Sequence, residues 1–343
     1  MSEKFIAPVT ESWSASDEAL LRCVAKYEPA FAQGIGPTGQ LALNRSEHLL
    51  HILPNADDFV RLVIRDLPSL PTGQDLGDGC PTEGVNGLEA HRHSIDRYLI
   101  LFPSAYHFSE PLMLLGECAQ DLRDHFFGIA EVSSEERFNF LIETLQKRAA
   151  DINFQKRTRA RERRGAGIFS TSKSFVDGML FTHKKIQVVQ VDLGYSIDVS
   201  RSIELAEAKR DFGRFLNYLR NKRVLSSNIG YIWTAGHASY RGFYFRLFMF
   251  FEEDVGLGTA ALSQYVVDFW MKVAAKGRGF AFPSDDRVNP ILNGATGVLA
   301  CDDKIMYRKM MLALRYLAVK EMHLSMKSRN SSRMFGHSHC KRH

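Results

Sequence analysis

Residues 240–251 read YRGFYFRLFMFF. From Phe243 onward nearly every side chain is aromatic or aliphatic, a composition that favours a strand. Arg246 interrupts the run, which is in any case too short to cross a membrane. Just before it, Asn228–Ala235 (NIGYIWTA) is a second strand candidate, and Gly236–Gly242 is a connection of hairpin length. Upstream, Lys185–Tyr195 (KIQVVQVDLGY) is β-branched and bounded by Gly194. Between these strands, Ile203–Arg220 places Leu205, Ala208, Phe212, Phe215, Leu216 and Leu219 at amphipathic-helix spacing. Downstream, Thr259–Lys276 predicts a helix with Tyr265, Val266, Phe269, Trp270 and Val273 turned inward. Gly279–Phe282 and Gly297–Cys301 are short strands, and Asp302–Met322 is a long helix with Asp302 as N-cap. The order β-α-β-β-α-β-β-α predicts an α+β fold: an antiparallel sheet with backing helices over one face.

The first half has a different texture and predicts a mainly helical region over 1–165. Apolar-periodic pieces fall at 41–53, 57–64, 91–101 and 110–127, around a Pro/Gly-rich loop at 67–87. Ser134 is the expected cap of a helix with Phe138, Leu141, Ile142 and Leu145 on one stripe. That helix is expected to run on as a basic helix at 147–164 and to end at the boundary Gly165-Ala166-Gly167. The α+β domain then covers 170–326, followed by a basic tail, 327–343.

The charge is unevenly placed. The chain has 343 residues and a formal net charge of +5. Lys147–Arg164 carries +6 and Lys327–His343 carries +5, so the remainder sits at −6. A mildly acidic body with two basic patches suits a polyanion met at defined places. The 45% apolar fraction excludes a disordered or collagen-like chain. The five cysteines, Cys23, Cys80, Cys118, Cys301 and Cys340, form no CxxC pair and read as free thiols of a reducing cytoplasm. No signal peptide or membrane span is evident. In the basic segment Lys156, Arg159 and Arg163 share one helix face, and Arg157, Arg161 and Arg164 a neighbouring one. The tail residues His337, His339, Cys340 and His343 are zinc-binding types, but their crowded spacing is unlike a structural site.

The ordered set FVDGMLFTHKKIQVVQVDLGY (175–195), RDFGRFLNYLRNKRVLSSNIGYIW (210–233), YRGFYFRLFMFF (240–251), FWMKVAAKGRGFAF (269–282), ATGVLACDD (295–303), LRYLAVKEM (314–322) and RMFGHS (333–338) resembles the YagK/YfjJ C-terminal-domain family. These are filamentous-phage (inovirus) and prophage replication-associated proteins, similar to rolling-circle replication initiators. The resemblance implies a Tyr that attacks one DNA strand, a neighbouring Lys, and an HUH-type divalent-metal site polarising the scissile phosphate. Tyr316 and Lys320 match the Tyr and Lys, with Lys320 at i+4 where the pattern has i+3. The three ligand positions of the pattern hold Gly236, Tyr244 and Arg246 instead. A glycine offers no donor and a guanidinium no lone pair, so the site reads as degenerate, and His237 is one residue out of register. Asp192 reads as a satisfied turn carboxylate or an active-face residue, and Arg210 and Arg214 as solvated charges.

These readings predict a DNA-binding protein of phage or prophage replication, cytoplasmic in a bacterial host cell, with nicking doubtful. Its DNA contacts would be Arg157, Arg159, Arg161, Arg163, Arg164 and Arg246. Its DNA would be single-stranded or hairpin, with host replication proteins as further partners and no membrane. No cofactor is expected, with Mg2+ or Mn2+ required only by the alternative of a Tyr-dependent nickase using an unusual ligand set. A further alternative is a prophage-derived interaction protein that binds a host protein.

Overall fold

The computed structural model describes residues 20–22, 24, 52, 54–65, 88, 91–98, 106–129, 131–221, 227–238, 242–253, 256–282, 289–326 and 333–338. The Pro/Gly-rich loop at 67–87, nearly all of 41–53 and the last five residues lie outside them. In chain order the elements are α1 (54–65), β1 (Tyr106–Phe108), α2 (Glu110–His125), α3 (Ser134–Ala149), α4 (Ile152–His183), β2 (Lys185–Tyr195), α5 (Leu205–Asn221), β3 (Asn228–Ala238), β4 (Gly242–Glu252), α6 (Thr259–Phe269), β5 (Gly279–Phe282), β6 (Gly297–Ala300), α7 (Lys304–His323), β7 (Leu324–Met326) and β8 (Phe335–His337). Short helical turns at 95–98, 197–200 and 290–293 interleave them.

The described residues form two compact units. One holds the chain up to Gly165 together with Glu321–Met326, and the other holds Ala166–Lys320 with 333–338. The first unit is mainly helical, but it borrows its last piece from far along the chain. β1 pairs antiparallel with β7, Tyr106 opposite Met326 and Phe108 opposite Leu324. α3 is capped by Ser133, not Ser134. Ser133 Oγ accepts from Glu136 N at 3.1 Å, and the Glu136 carboxylate accepts from Ser133 N at 2.9 Å, a reciprocal capping box. Nor does α3 run on into the basic segment. It stops at Ala149, and α4 starts afresh at Ile152, where Asp151 Oδ1 accepts from Asn153 N at 2.8 Å. α4 then passes straight through Gly165-Ala166-Gly167 to His183. A helical glycine costs only about 1 kcal/mol relative to alanine, so two glycines in a 32-residue helix do not end it.

The second unit is an open antiparallel sheet in the order β5-β2-β4-β3-β8, with β6 also pairing β2. β2 and β4 are the long central strands, and β5 and β6 pair successive stretches of β2. This is the α+β class the spacing predicts, but both faces of the sheet are covered, not one. On one face Phe245 of β4 stacks on Phe212 of α5, with ring centroids 4.0 Å apart, and Trp270 packs behind them. On the other, Phe250 meets Phe175 of α4, and Tyr244 meets Lys320 of α7. The apolar run of β4, interrupted only by the buried Arg246, is the signature of a strand buried on both sides. β4 buries five aromatic side chains, Tyr244, Phe245, Phe248, Phe250 and Phe251, each contributing about 1.5–3 kcal/mol, which is what fixes it at the centre.

Two further expectations change. Past Phe269, α6 widens into a π-helical turn, Trp270–Ala274. The extra residue rotates Val273 out to solvent, while Trp270 stays buried and donates through Nε1 to Gly194 O at 2.7 Å. Tyr265 is also exposed. At the start of α7 the cap is Asp303, whose Oδ1 accepts from Ile305 N and Met306 N at 3.0 and 2.9 Å. The tail is partly built in: Phe335–His337 is an edge strand on β3, and His337 packs against Phe175.

Candidate functional site

Side chains alternate along β4, so Tyr244, Arg246, Phe248 and Phe250 share one sheet face. Register sets Arg246 opposite Asp192 of β2. Arg246 Nε donates to Asp192 Oδ1 at 2.9 Å and its Nη2 to Oδ2 at 2.8 Å, a two-pronged pair that Gln190 Nε2 completes with a 2.8 Å bond to Oδ1. Arg246 is only 2% exposed. The fork expected to hold a DNA phosphate is therefore spent inside the sheet, and its charge is matched by Asp192. Asp192 is no turn carboxylate but the other half of this pair.

Tyr244 and Lys320 meet on the same face. Lys320 Nζ donates to Tyr244 Oη at 3.1 Å, and the Lys320 and Arg246 cations stand 5.2 and 5.6 Å from the Tyr244 ring centre. Gly236 pairs with Tyr244 across β3 and β4. A Cβ on Gly236 would fall 2.7 Å from Tyr244 Cε1 and closer still to Cζ. The phenol ring therefore occupies the space that a side chain at 236 would need. Tyr316, the expected nucleophile, is 0% exposed, and Lys320 is buried beside it on α7. A phenol enclosed in this way cannot line up with a phosphorus atom in solvent.

The divalent ion implied by the resemblance does not fit these residues. Gly236 supplies no donor atom, Arg246 no lone pair, and the Tyr244 oxygen already accepts from an ammonium. Among the described residues no group of three His, Cys, Asp or Glu is placed to hold a metal. His237 pairs with Phe243, on the opposite face from Tyr244, and its ring lies edge-on to Phe243 at 4.7 Å. Burial lowers its pKa from the ordinary imidazole value.

Arg214 is exposed, as expected of a solvated charge, but it is also tied down at one end. It donates to Ala274 O at 3.0 and 3.2 Å and pairs with the buried Asp211. Asp211 also accepts from Tyr195 Oη at 3.1 Å and from Arg278 Nη2 at 3.0 Å. Burial first, and then the Asp211 charge, pushes the Tyr195 phenol well above its usual range. Arg210 is exposed.

In the first unit the basic stretch of α4 divides by face. Lys156, Arg159 and Arg163 are exposed, and none is paired with an acid among the described residues; Arg163 Nε donates to Arg159 O at 3.2 Å. The other face is tied down. Arg157 Nε donates to Glu110 Oε2 at 3.0 Å, and Arg164 pairs with Glu321 at 3.1 Å. Arg161 is turned inward. It donates to Met322 O at 2.5 Å and Ser325 Oγ at 3.0 Å, and it lies 3.6 Å from Glu110. Burial draws its pKa down, against the pull of Glu110 and Glu321. Arg161 fastens β7's strand to α4 and faces no ligand from solvent. Glu110 and Glu321 are the participants that sequence reading misses, because both pair across long stretches of chain.

Deeper in the same unit, Asp57 of α1 is wholly buried. It accepts from Arg61 Nε at 2.6 Å and from Ser109 Oγ, and His323 Nδ1 lies 3.8 Å away. Burial alone would raise the Asp57 carboxyl, but Arg61, His323 and Ser109 outweigh it and hold it well below the usual carboxylate range. Burial lowers the His323 pKa, with Arg61 and Arg161 acting in the same direction, while Asp57 pulls the other way. Ser109 bonds the carboxylate and not the imidazole, so the three do not form a nucleophilic triad.

No protein-family model, no curated protein and no solved structure matches this chain.

Proposed function

We propose that this chain is a DNA-binding protein of phage or prophage replication, a divergent relative of the YagK/YfjJ C-terminal-domain family that binds DNA without cutting it. The observation that carries the reading is the row Lys156, Arg159 and Arg163 on the exposed face of α4, with no acid paired to it among the described residues. At about 1.5 Å of rise per residue the row is about 10 Å long, enough to follow two or three successive phosphates of one strand. Single-stranded or hairpin DNA is the proposed ligand, in the cytoplasm of a bacterial host. The buried Tyr316 and the ring-filled space at Gly236 argue against the nickase alternative. A second reading, docking on a host protein, draws on Phe127 and Ile129, which stand exposed beyond the end of α2.

The test is anisotropy with a labelled single strand and a labelled hairpin at fixed salt. Lys156→Ala/Arg159→Ala/Arg163→Ala is expected to bind at least tenfold more weakly with an unchanged melting curve. A folded triple variant that binds like the parent overturns the reading.

A further inference from the structure

Glu110 and Glu321 sit beneath the basic face of α4, and their position has a consequence for any polyanion that binds there. Glu110 opens α2, and its two carboxylate oxygens reach two arginines one helical turn apart, Oε2 to Arg157 at 3.0 Å and Oε1 to Arg161 at 3.6 Å. Glu321, near the end of α7, takes Arg164 at 3.1 Å. The acids are the enclosed partners and the arginines the exposed ones: the side chains of Glu110 and Glu321 are 17% and 11% exposed, those of Arg157 and Arg164 53% and 60%. Each exposed guanidinium therefore has a carboxylate behind it and solvent in front.

We propose that Glu110 and Glu321 set the affinity of this face by competing with phosphate for Arg157 and Arg164. The inference rests on the proposed DNA binding and deepens it. A phosphate approaching Arg157 must take the guanidinium from Glu110 or share it, and it meets the field of a carboxylate a few ångströms behind. The two acids thus leave Lys156, Arg159 and Arg163 as the cations that release counterions fully on binding. They turn a face of five exposed positive side chains into one of three effective charges. The same arrangement limits non-specific adhesion to any polyanion, because the silenced arginines contribute only where a ligand's geometry outcompetes the acid.

The test uses Glu110→Gln and Glu321→Gln in the full chain, titrated with a labelled single strand from about 50 to 200 mM salt. Each variant is expected to bind more tightly at low salt, and its log–log salt slope to steepen by about 0.7, the contribution of one further phosphate contact on a single strand. Slopes equal to or shallower than the parent's overturn the proposal, because the acids would then be holding the arginines in position for DNA. Glu110 also steadies the enclosed Arg161, so Glu321→Gln carries the test alone if Glu110→Gln melts early. Arg159→Ala/Arg163→Ala is run alongside. If it weakens binding while the glutamine variants change nothing, this inference fails and the DNA reading stands. If it too changes nothing, the DNA reading itself fails.

Discussion

The salt dependence of DNA binding separates a three-cation face from the full basic segment. Each phosphate neutralised on a single strand contributes about 0.7 to the slope of log affinity against log salt. With Lys156, Arg159 and Arg163 engaged, the slope is about −2, and raising salt from 50 to 200 mM weakens binding about 20-fold. If all of Lys156, Arg157, Arg159, Arg163 and Arg164 engaged, the slope would be about −3.5 and the loss over the same range about 100-fold. The distinction rests on the Glu110 and Glu321 pairings, since all five side chains are exposed. Anisotropy titrations at four or five salt concentrations measure it directly. A slope near −3.5 would refute the division of the face into paired and unpaired cations, and a flat isotherm would refute DNA binding by this face altogether.

Other perturbations probe the polar cluster and the buried acid. Gly236→Ala forces a methyl group into the Tyr244 ring and is expected to cost about 1–3 kcal/mol; in a Tyr244→Ala background the cost should largely vanish, which a urea-denaturation double-mutant cycle measures. Arg246→Met strands Asp192 as a buried charge and should cost about 3–5 kcal/mol, whereas Arg246→Met with Asp192→Leu should recover much of it; additive losses would mean the pair is not coupled. Acid should weaken the first unit in two steps. Because burial lowers the folded pKa of His323, the unfolded chain binds that proton first, so stability is full above pH ~6.5 and falls below it by up to about 1.4 kcal/mol per pH unit. His323→Gln should flatten the urea midpoint between pH 6.5 and 5. Asp57, held low in the fold, stabilises above pH ~4, and that contribution is lost on further acidification.

The central hairpin is legible because its composition is extreme: a run of aromatics with one charge can hardly be anything but a buried strand. The same run also signals burial on two faces, which the element order alone, an antiparallel sheet backed by helices, does not specify. Helix starts at α3 and α7 come out one residue away from the expected caps because Ser133-Ser134 and Asp302-Asp303 are neighbouring residues of one type, and only the backbone angle selects between them. That positions 236 and 246 cannot hold a metal can be read from residue chemistry alone, since a glycine has no side-chain donor and a guanidinium no lone pair. What fills the space cannot. The Arg246–Asp192 pair joins residues 54 apart, and the Lys320–Tyr244 bond residues 76 apart. The basic segment misleads for the same reason, because its acids arrive from residue 110 and residue 321.

Gly236 and Tyr244 also bear on the history available to this chain. A glutamate introduced at 236 would collide with a ring, and a histidine introduced at 244 would leave a void beside a buried ion pair. Each single substitution toward ligating residues at these positions is therefore penalised until the other is made. Once a phenol and a glycine have settled against each other across two strands, drift alone will not readily undo them. Positions 236 and 244 are thus locked to each other: change can remodel the exposed face of α4 residue by residue, but not this interior.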